Sequence, residues 1–261
     1  MFFSYFLTLI IKYSMYKENI KKYALILAAG IGSRMNTELP KCAVNFCGKS
    51  MIKRIVAECK KCNFEEIIVI VGYKKENIMT LLKDEVKYVY QEKQLGTAHA
   101  ILCAKDYFND KDGICVIIPG DIPLIDNQII NNIINNHINS LSELSIISCE
   151  IDDPYSYGRI VYKDFKTIKI VEEVDANEIE KRIKLINTGV YCVNIKVLYD
   201  CLPKIKNNNK KGEYYLTDIV EIVSEENNVN VIIEKDNYKL LGVNDLNSLS
   251  KLEKIFKEKK K

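Results

Sequence analysis

The sequence predicts an α/β protein with a mostly parallel sheet and an antiparallel extension. Short, wholly apolar runs at 24–29, 67–71 and 114–118 have the length and density of strands buried on both faces. Between them, apolar residues recur at helical spacing, and alternation of this kind marks a right-handed parallel α/β arrangement. After about residue 140 the pattern changes to closely spaced strand-like pieces separated by turns, as in antiparallel sheets.

The first strand, 24–29, ends at Gly30 and Gly32, with Ser33, Arg34 and Met35 directly after. Two glycines let backbone N–H groups approach a ligand, and Arg34 adds a forked, permanently charged donor, so this turn is suited to an anion. Two familiar phosphate loops are excluded. A dinucleotide fingerprint needs a small residue where the chain has Met35, and Gly48-Lys49-Ser50 lacks its partner glycine because position 43 is alanine.

Ser50 reads as the N-cap of a helix with Met51, Ile52, Ile55, Val56 and Cys59 on its apolar face. Strand 67–71, a short helix over 76–82 and strand 87–90 follow. A polar loop over 91–96 then runs into a small-residue helix from Thr97, and strand 114–118 stops at Pro119-Gly120-Asp121. Ligands of open α/β sheets collect at the carboxyl ends of strands. The turn at Gly30, the loop 91–97 and Asp121 are therefore predicted to line one crevice.

The strand-like pieces 144–149, 159–162, 167–171 and 186–193, with one helix at most over 177–184, are predicted to cover that crevice. A polar loop at 207–211, a helix over 217–225, a strand over 230–233 and a closing helix from Asn244 complete the chain. No internal repeat or low-complexity linker interrupts it, so 23–261 reads as one domain.

Net charge over the 261 residues is only +3, which gives no reason to propose a nucleic acid or an anionic membrane as partner. Arginine occurs only at 34, 54, 159 and 182. Nine cysteines, an odd number, do not form a disulfide framework in so long a chain and fit a reducing cytoplasm. Cys59-Lys60-Lys61-Cys62 is a lone CxxC without a second pair at zinc spacing, and reads as two half-buried thiols at a helix end. Residues 1–11 are apolar but short of the roughly 20 residues a membrane span needs, and lack a basic leader region. Residues 1–22 read as an extension, with Met15 an alternative start.

The segments LAAGIGSRM, LPK, QLGTAHA, GDIPLI, YGRIV, IVEEVDA, INTGVY, GEYYLTDI and GVNDL resemble, in this order, the sugar-phosphate nucleotidyltransferase family. Within it they are most similar to the uridylyltransferase domain of bifunctional N-acetylglucosamine-1-phosphate uridyltransferases, over about 23–252. The resemblance implies a GT-A-like, Rossmann-like fold, with a nucleotide half at about 23–140 and a sugar half at about 141–261. It implies Mg2+-dependent transfer of UMP from UTP to N-acetylglucosamine 1-phosphate, with release of pyrophosphate, in the cytoplasm.

By that resemblance Leu27, Ala28, Ala29 and Gly30 meet the uracil and ribose, Arg34 and Lys41 contact phosphate and do the catalytic work, and Gln91, Gly96 and Thr97 read the base. Asp121, following Gly120 of the same substrate-binding turn, and Asn244 are implied as metal ligands, and Gly158, Glu172 and Asn187, with Tyr215 and Thr217 near them, as the sugar side. These types suit the chemistry. Magnesium takes hard oxygens and needs only one or two from the protein, an amide both donates and accepts as a base edge requires, and positioning with charge neutralisation performs most of phosphoryl transfer.

Ile31 departs from the family, which often carries a lysine there. Acetyl transfer is not expected, because the hexapeptide repeats of the bifunctional form do not follow; UTP and N-acetylglucosamine 1-phosphate are the implied partners, and whether a separate acetyltransferase partners the chain is left open. Transfer to another sugar phosphate or from another NTP, and a non-catalytic sugar-nucleotide sensor, remain the competing readings.

Overall fold

The computed structural model describes residues 19–35 and 37–259; residues 1–18 of the predicted extension over 1–22, with the alternative start at Met15, lie outside them, and Lys22 of that extension belongs to the first strand. Strand β1 (Lys22–Ala28) is followed by a small hairpin, β2 (Asn45–Phe46) and β3 (Lys49–Ser50). Then come β4 (Glu66–Val71), β5 (Lys87–Tyr90), β6 (Ile114–Pro119), β7 (Leu144–Glu150), β8 (Gly158–Tyr162), β9 (Ile168–Val171), β10 (Leu185–Asn194) and β11 (Val229–Ile233). The main sheet runs β11-β7-β10-β6-β1-β4-β5, with β8 and β9 branching from β10.

The first half follows the prediction: β5, β4, β1 and β6 are all parallel. Their residues alternate between two cores. Ala24, Ile26 and Ala28 of β1, with Ile114, Val116 and Ile118 of β6, face the helices Met51–Cys59 and Asn127–Ser140. Tyr23, Leu25, Cys115 and Ile117 face the helices Thr97–Leu102, Ile195–Cys201 and Asp218–Glu226. Because both faces are covered, these strands read as unbroken apolar runs.

The second half bears out the predicted antiparallel extension and corrects its placement. β10 lies antiparallel to β6, β7 antiparallel to β10, and β11 parallel to β7, so these strands extend the central sheet instead of covering the crevice. Only β8 and β9 leave it. Over 177–184, where one helix at most was expected, only a 3-10 turn, Glu180–Arg182, forms. The Ser50 side chain makes no cap hydrogen bond. The 14-residue helix Asn127–Ser140, over which no element was predicted, is capped by Asp126 Oδ1 accepting from Ile129 N at 3.0 Å. Among the described residues no helix is long and apolar enough to cross a membrane.

A third cluster, comprising Met35, Val44, Phe46, Met51, Leu124, Val243 and Leu252, sits beside the crevice. It packs the turn after β1, the loop after β6 and the closing helix Leu246–Lys259 together. Met35, the residue that broke the dinucleotide fingerprint, is a core anchor here.

Candidate active site

The register of the parallel strands sets the site. Ala28 pairs with Val71, Leu27 with Pro119, and Val71 with Tyr90, so three loops leave one sheet edge together. Backbone bonds tie them down: Gly120 N donates to Leu27 O at 2.9 Å, Tyr73 N to Ala29 O at 3.2 Å, and Gln91 N to Val71 O at 2.8 Å. The side chains of Ala28 and Ala29 are buried, one in each core, while Gly30 is exposed with open space where a Cβ would stand.

Gly32 has φ +65°, and a Cβ there would meet Lys41 Cβ at 2.5 Å. The turn therefore needs glycine both for its backbone and for the lysine stem crossing it. Lys41 Nζ contacts Asp121 Oδ2 and donates to Asn244 Oδ1 at 3.1 Å, and Arg34 Nη2 donates to the same Asn244 oxygen at 3.4 Å. Four residues predicted from separate motifs thus meet at one point.

Asn244 is not the helix cap. Asp245 Oδ1 accepts from Ser248 N at 2.8 Å, and Ser248 Oγ accepts from the N–H groups of Asn244 and Asp245. The cap is Asp245, and this leaves the Asn244 amide free to face Asp121. Val243 N donating to Asp121 O at 2.8 Å holds the two loops side by side. Tyr157, which sequence reasoning missed, accepts from Gly242 N at 3.1 Å and supports the same loop; burial pushes its phenol up to about 12. Its only sequence signal was its place before Gly158.

The loop 91–97 is clamped by the segment around Tyr214. Tyr214 N donates to Leu95 O at 2.8 Å, Ala98 N to Tyr214 O at 2.9 Å, and Leu216 N to Thr97 Oγ1 at 2.9 Å. Gly96 has φ +117°, and a Cβ would meet Tyr214 N at 2.6 Å. Thr97 thus anchors the clamp, which also brings Tyr215 and Thr217 beside the Gln91 loop. Gln91 is buried, with its Nε2 against Gly96 O at 3.2 Å and His99 Nδ1 at 3.0 Å.

On the side predicted to take the sugar, Gly158 pairs with Asn187 across β8 and β10. A Cβ at Gly158 would lie 3.5 Å from Glu172 Oε1 and 3.6 Å from Asn187 Cβ. A bulge in β10 between Asn187 and Val190 sets Gly189 against the Pro119 ring, linking this cluster to the Asp121 loop. Asn187 Oδ1 accepts from Gly189 N at 3.1 Å and Tyr191 OH at 2.9 Å. Among the described residues nothing accepts from its Nδ2. Burial raises the Glu172 carboxyl, opposed by the nearby Thr217 hydroxyl. The Tyr215 hydroxyl is buried without a hydrogen-bond partner among the described residues, and the buried Thr217 hydroxyl lies beside Glu172.

Of the two adjacent glutamates, Glu173 is committed elsewhere: it pairs with the buried Arg159 at 2.6 Å. The CxxC carries no chemistry. Cys59 and Cys62 are fully buried, not half-buried as predicted, and burial raises both thiols, Cys62 to about 11. No cluster of three or more His, Cys, Asp or Glu able to hold a metal occurs among the described residues. Asp121 and Asn244, a carboxylate and an amide, supply two hard oxygens that meet at Lys41 Nζ.

A family model described as nucleotidyl transferase matches residues 23–257. The chain is 44% identical over 240 residues to the bifunctional protein GlmU of Acholeplasma laidlawii, covering 92% of this chain and 52% of that protein. It is 40% identical over 237 residues to the protein of the same name from Caldanaerobacter subterraneus subsp. tengcongensis, covering 90% and 52%. It spans about half the length of these curated relatives. A solved UDP-glucose pyrophosphorylase, complexed with UDP-glucose, superposes with a TM-score of 0.68 over 92% of this chain and 100% of that one, at 17% identity, a likeness of fold alone.

Proposed function

The chain belongs to the nucleotidyl transferase family, and from that premise we propose that it transfers UMP from UTP to N-acetylglucosamine 1-phosphate in the cytoplasm. An oxygen of the sugar phosphate attacks the α-phosphorus in line, forming the new P–O bond as the bond to pyrophosphate breaks. Both partners are anions, so the protein's task is to hold them together and offset charge.

The observation that carries this reading is the meeting of Arg34, Lys41, Asp121 and Asn244 at the mouth of the glycine turn. Two cationic side chains there suit the triphosphate and the departing pyrophosphate. Asp121 and Asn244 aim hard oxygens at one point, which the Lys41 ammonium holds in this structure, and a divalent ion such as Mg2+ fits that donor set. Asp121 and Asn244 would hold such an ion, which would supply charge neutralisation for the phosphates, while Lys41 and Arg34 would contact the phosphates directly.

The sugar side supports an N-acetylated sugar. Asn187 keeps its NH2 group as a donor, suited to an acetamido carbonyl, and Glu172 accepts from sugar hydroxyls. The buried hydroxyls of Tyr215 and Thr217 add polar atoms to the same wall. A panel of NTPs against sugar 1-phosphates, read by pyrophosphate release with Mg2+ present, tests the reading. The highest kcat/KM is expected for UTP with N-acetylglucosamine 1-phosphate. A purine nucleotide as preferred substrate, or no turnover with any pair, would overturn it.

A further inference from the structure

We infer that His99, through its ring Nδ1, locks the Gln91 carboxamide in the orientation that leaves its Oε1 for the nucleotide base, and so is a positioning residue for base selection. This rests on the uridylyl transfer proposed above and assigns it a determinant outside the residues that touch substrate.

The inference follows from counting protons on one buried amide. Gln91 is 3% exposed, and its Nε2 lies 3.2 Å from the Gly96 carbonyl oxygen and 3.0 Å from His99 Nδ1. The backbone carbonyl decides the orientation, because a flipped amide would set two acceptor oxygens against each other. With the NH2 group there, His99 Nδ1 must accept, so the neutral ring carries its proton on Nε2. Both amide protons are then consumed inside the protein.

What remains is Oε1, to which no described residue donates. An acceptor at this position matches the N3–H of uracil, and meets a lone pair on the corresponding nitrogen of cytosine. The Gly96 carbonyl alone holds one proton of the amide. His99 holds the other and resists rotation, and its helix Thr97–Leu102 is seated by the Tyr214 clamp. Sequence gave His99 no catalytic role, and none is needed: it acts through Gln91.

The test compares kcat/KM for UTP and CTP in the parent, Gln91→Ala and His99→Phe, the last keeping ring volume without an acceptor. His99→Phe is expected to raise KM for UTP with little change in kcat and to lower the UTP/CTP ratio about tenfold, the worth of one aligned hydrogen bond. A UTP-preferring parent whose His99→Phe variant keeps the parental ratio overturns the inference alone. A parent without preference for UTP overturns the base assignment as well. Independently of any variant's folding, 15N NMR of labelled histidine, of which the chain has two, is expected to show His99 protonated at Nε2; a proton at Nδ1 overturns the inference.

Discussion

The Lys41 ammonium is seated on the Asp121 carboxylate, eighty residues away in sequence, and the two side chains are 18% and 19% exposed. Such a pair is worth little to folding, about 0–1 kcal/mol, because partial hydration screens it. Its value, on the proposed function, lies in holding two opposite charges where phosphate and a cation would bind. Asp121→Asn is therefore expected to lower kcat by ~10²–10³, with the melting temperature moving by only a few degrees. Pyrophosphate release and a thermal melt on one preparation check this. A large fall in stability would make the pair a structural clamp.

Gly96→Ala should act through the backbone. Its φ of +117° is closed to alanine, and the new methyl would press on the backbone of Tyr214. Since Tyr214 also pairs with Leu95 and Ala98, strain there loosens the loop that carries Gln91. A loss of at least ~2 kcal/mol is expected, with a raised KM for UTP and an unchanged KM for the sugar phosphate. Urea titration and a KM comparison measure the two effects.

Arg159 makes the opposite distinction. Its side chain is 2% exposed and pairs with Glu173 at 2.6 Å while donating to Lys181 O at 3.3 Å. Arg159→Met keeps most of the stem volume but strands the Glu173 carboxylate, at an expected cost of about 2–3 kcal/mol for a partly exposed partner. The ion pair fixes the turn after β9 so that the neighbouring Glu172 faces Gly158 and Asn187. KM for the sugar phosphate should rise several-fold and KM for UTP should stay. The reverse pattern would place Glu172 outside the sugar pocket.

How far the sequence could be read depended on whether each feature was local. The turn from Gly30 to Arg34 was legible because an apolar strand ends in two glycines and a charge, all within a few residues. The helix Asn127–Ser140 was not: its Asn-rich surface has weak helix propensity, though Ile129, Ile130, Ile133, Ile134 and Ile138 recur at helical spacing. The joining of β10 to β6 rests on pairing between segments about seventy residues apart, such as Tyr191 with Ile117, which no local pattern encodes. Among the site residues, Arg34, Lys41, Asp121 and Asn244 were each found by motif, and the shared crevice of the Gly30 turn and Asp121 followed from the carboxyl ends of the strands; the individual contacts through Lys41 were not legible. Tyr157 and His99 act through hydrogen bonds to Gly242 and Gln91, and nothing in their sequence neighbourhood announces a bond to a distant backbone or to an amide eight residues away.

Asp218 gives a pH signature for the wall behind the sugar site. Burial, with Glu221 and Asp175 nearby, pushes its carboxyl from an ordinary 3.8 up to about 6. A carboxyl whose folded pKa lies above its unfolded one binds its proton more tightly in the folded state. Its contribution to stability is complete below about pH 4 and is lost as pH rises through about 6. The helix N-terminus at Asp218 favours the anion by about 0.3–1 kcal/mol at most exposed sites, and burial beside two carboxylates outweighs it. At pH 7 the half-buried, partly screened anion is expected to oppose folding by about 1 kcal/mol. Asp218→Asn should be more stable than the parent by that amount at pH 7 and nearly equal to it at pH 4, as chemical denaturation at pH 4, 5, 6 and 7 will show. A difference that does not change with pH would mean that Asp218 titrates as an ordinary surface carboxyl.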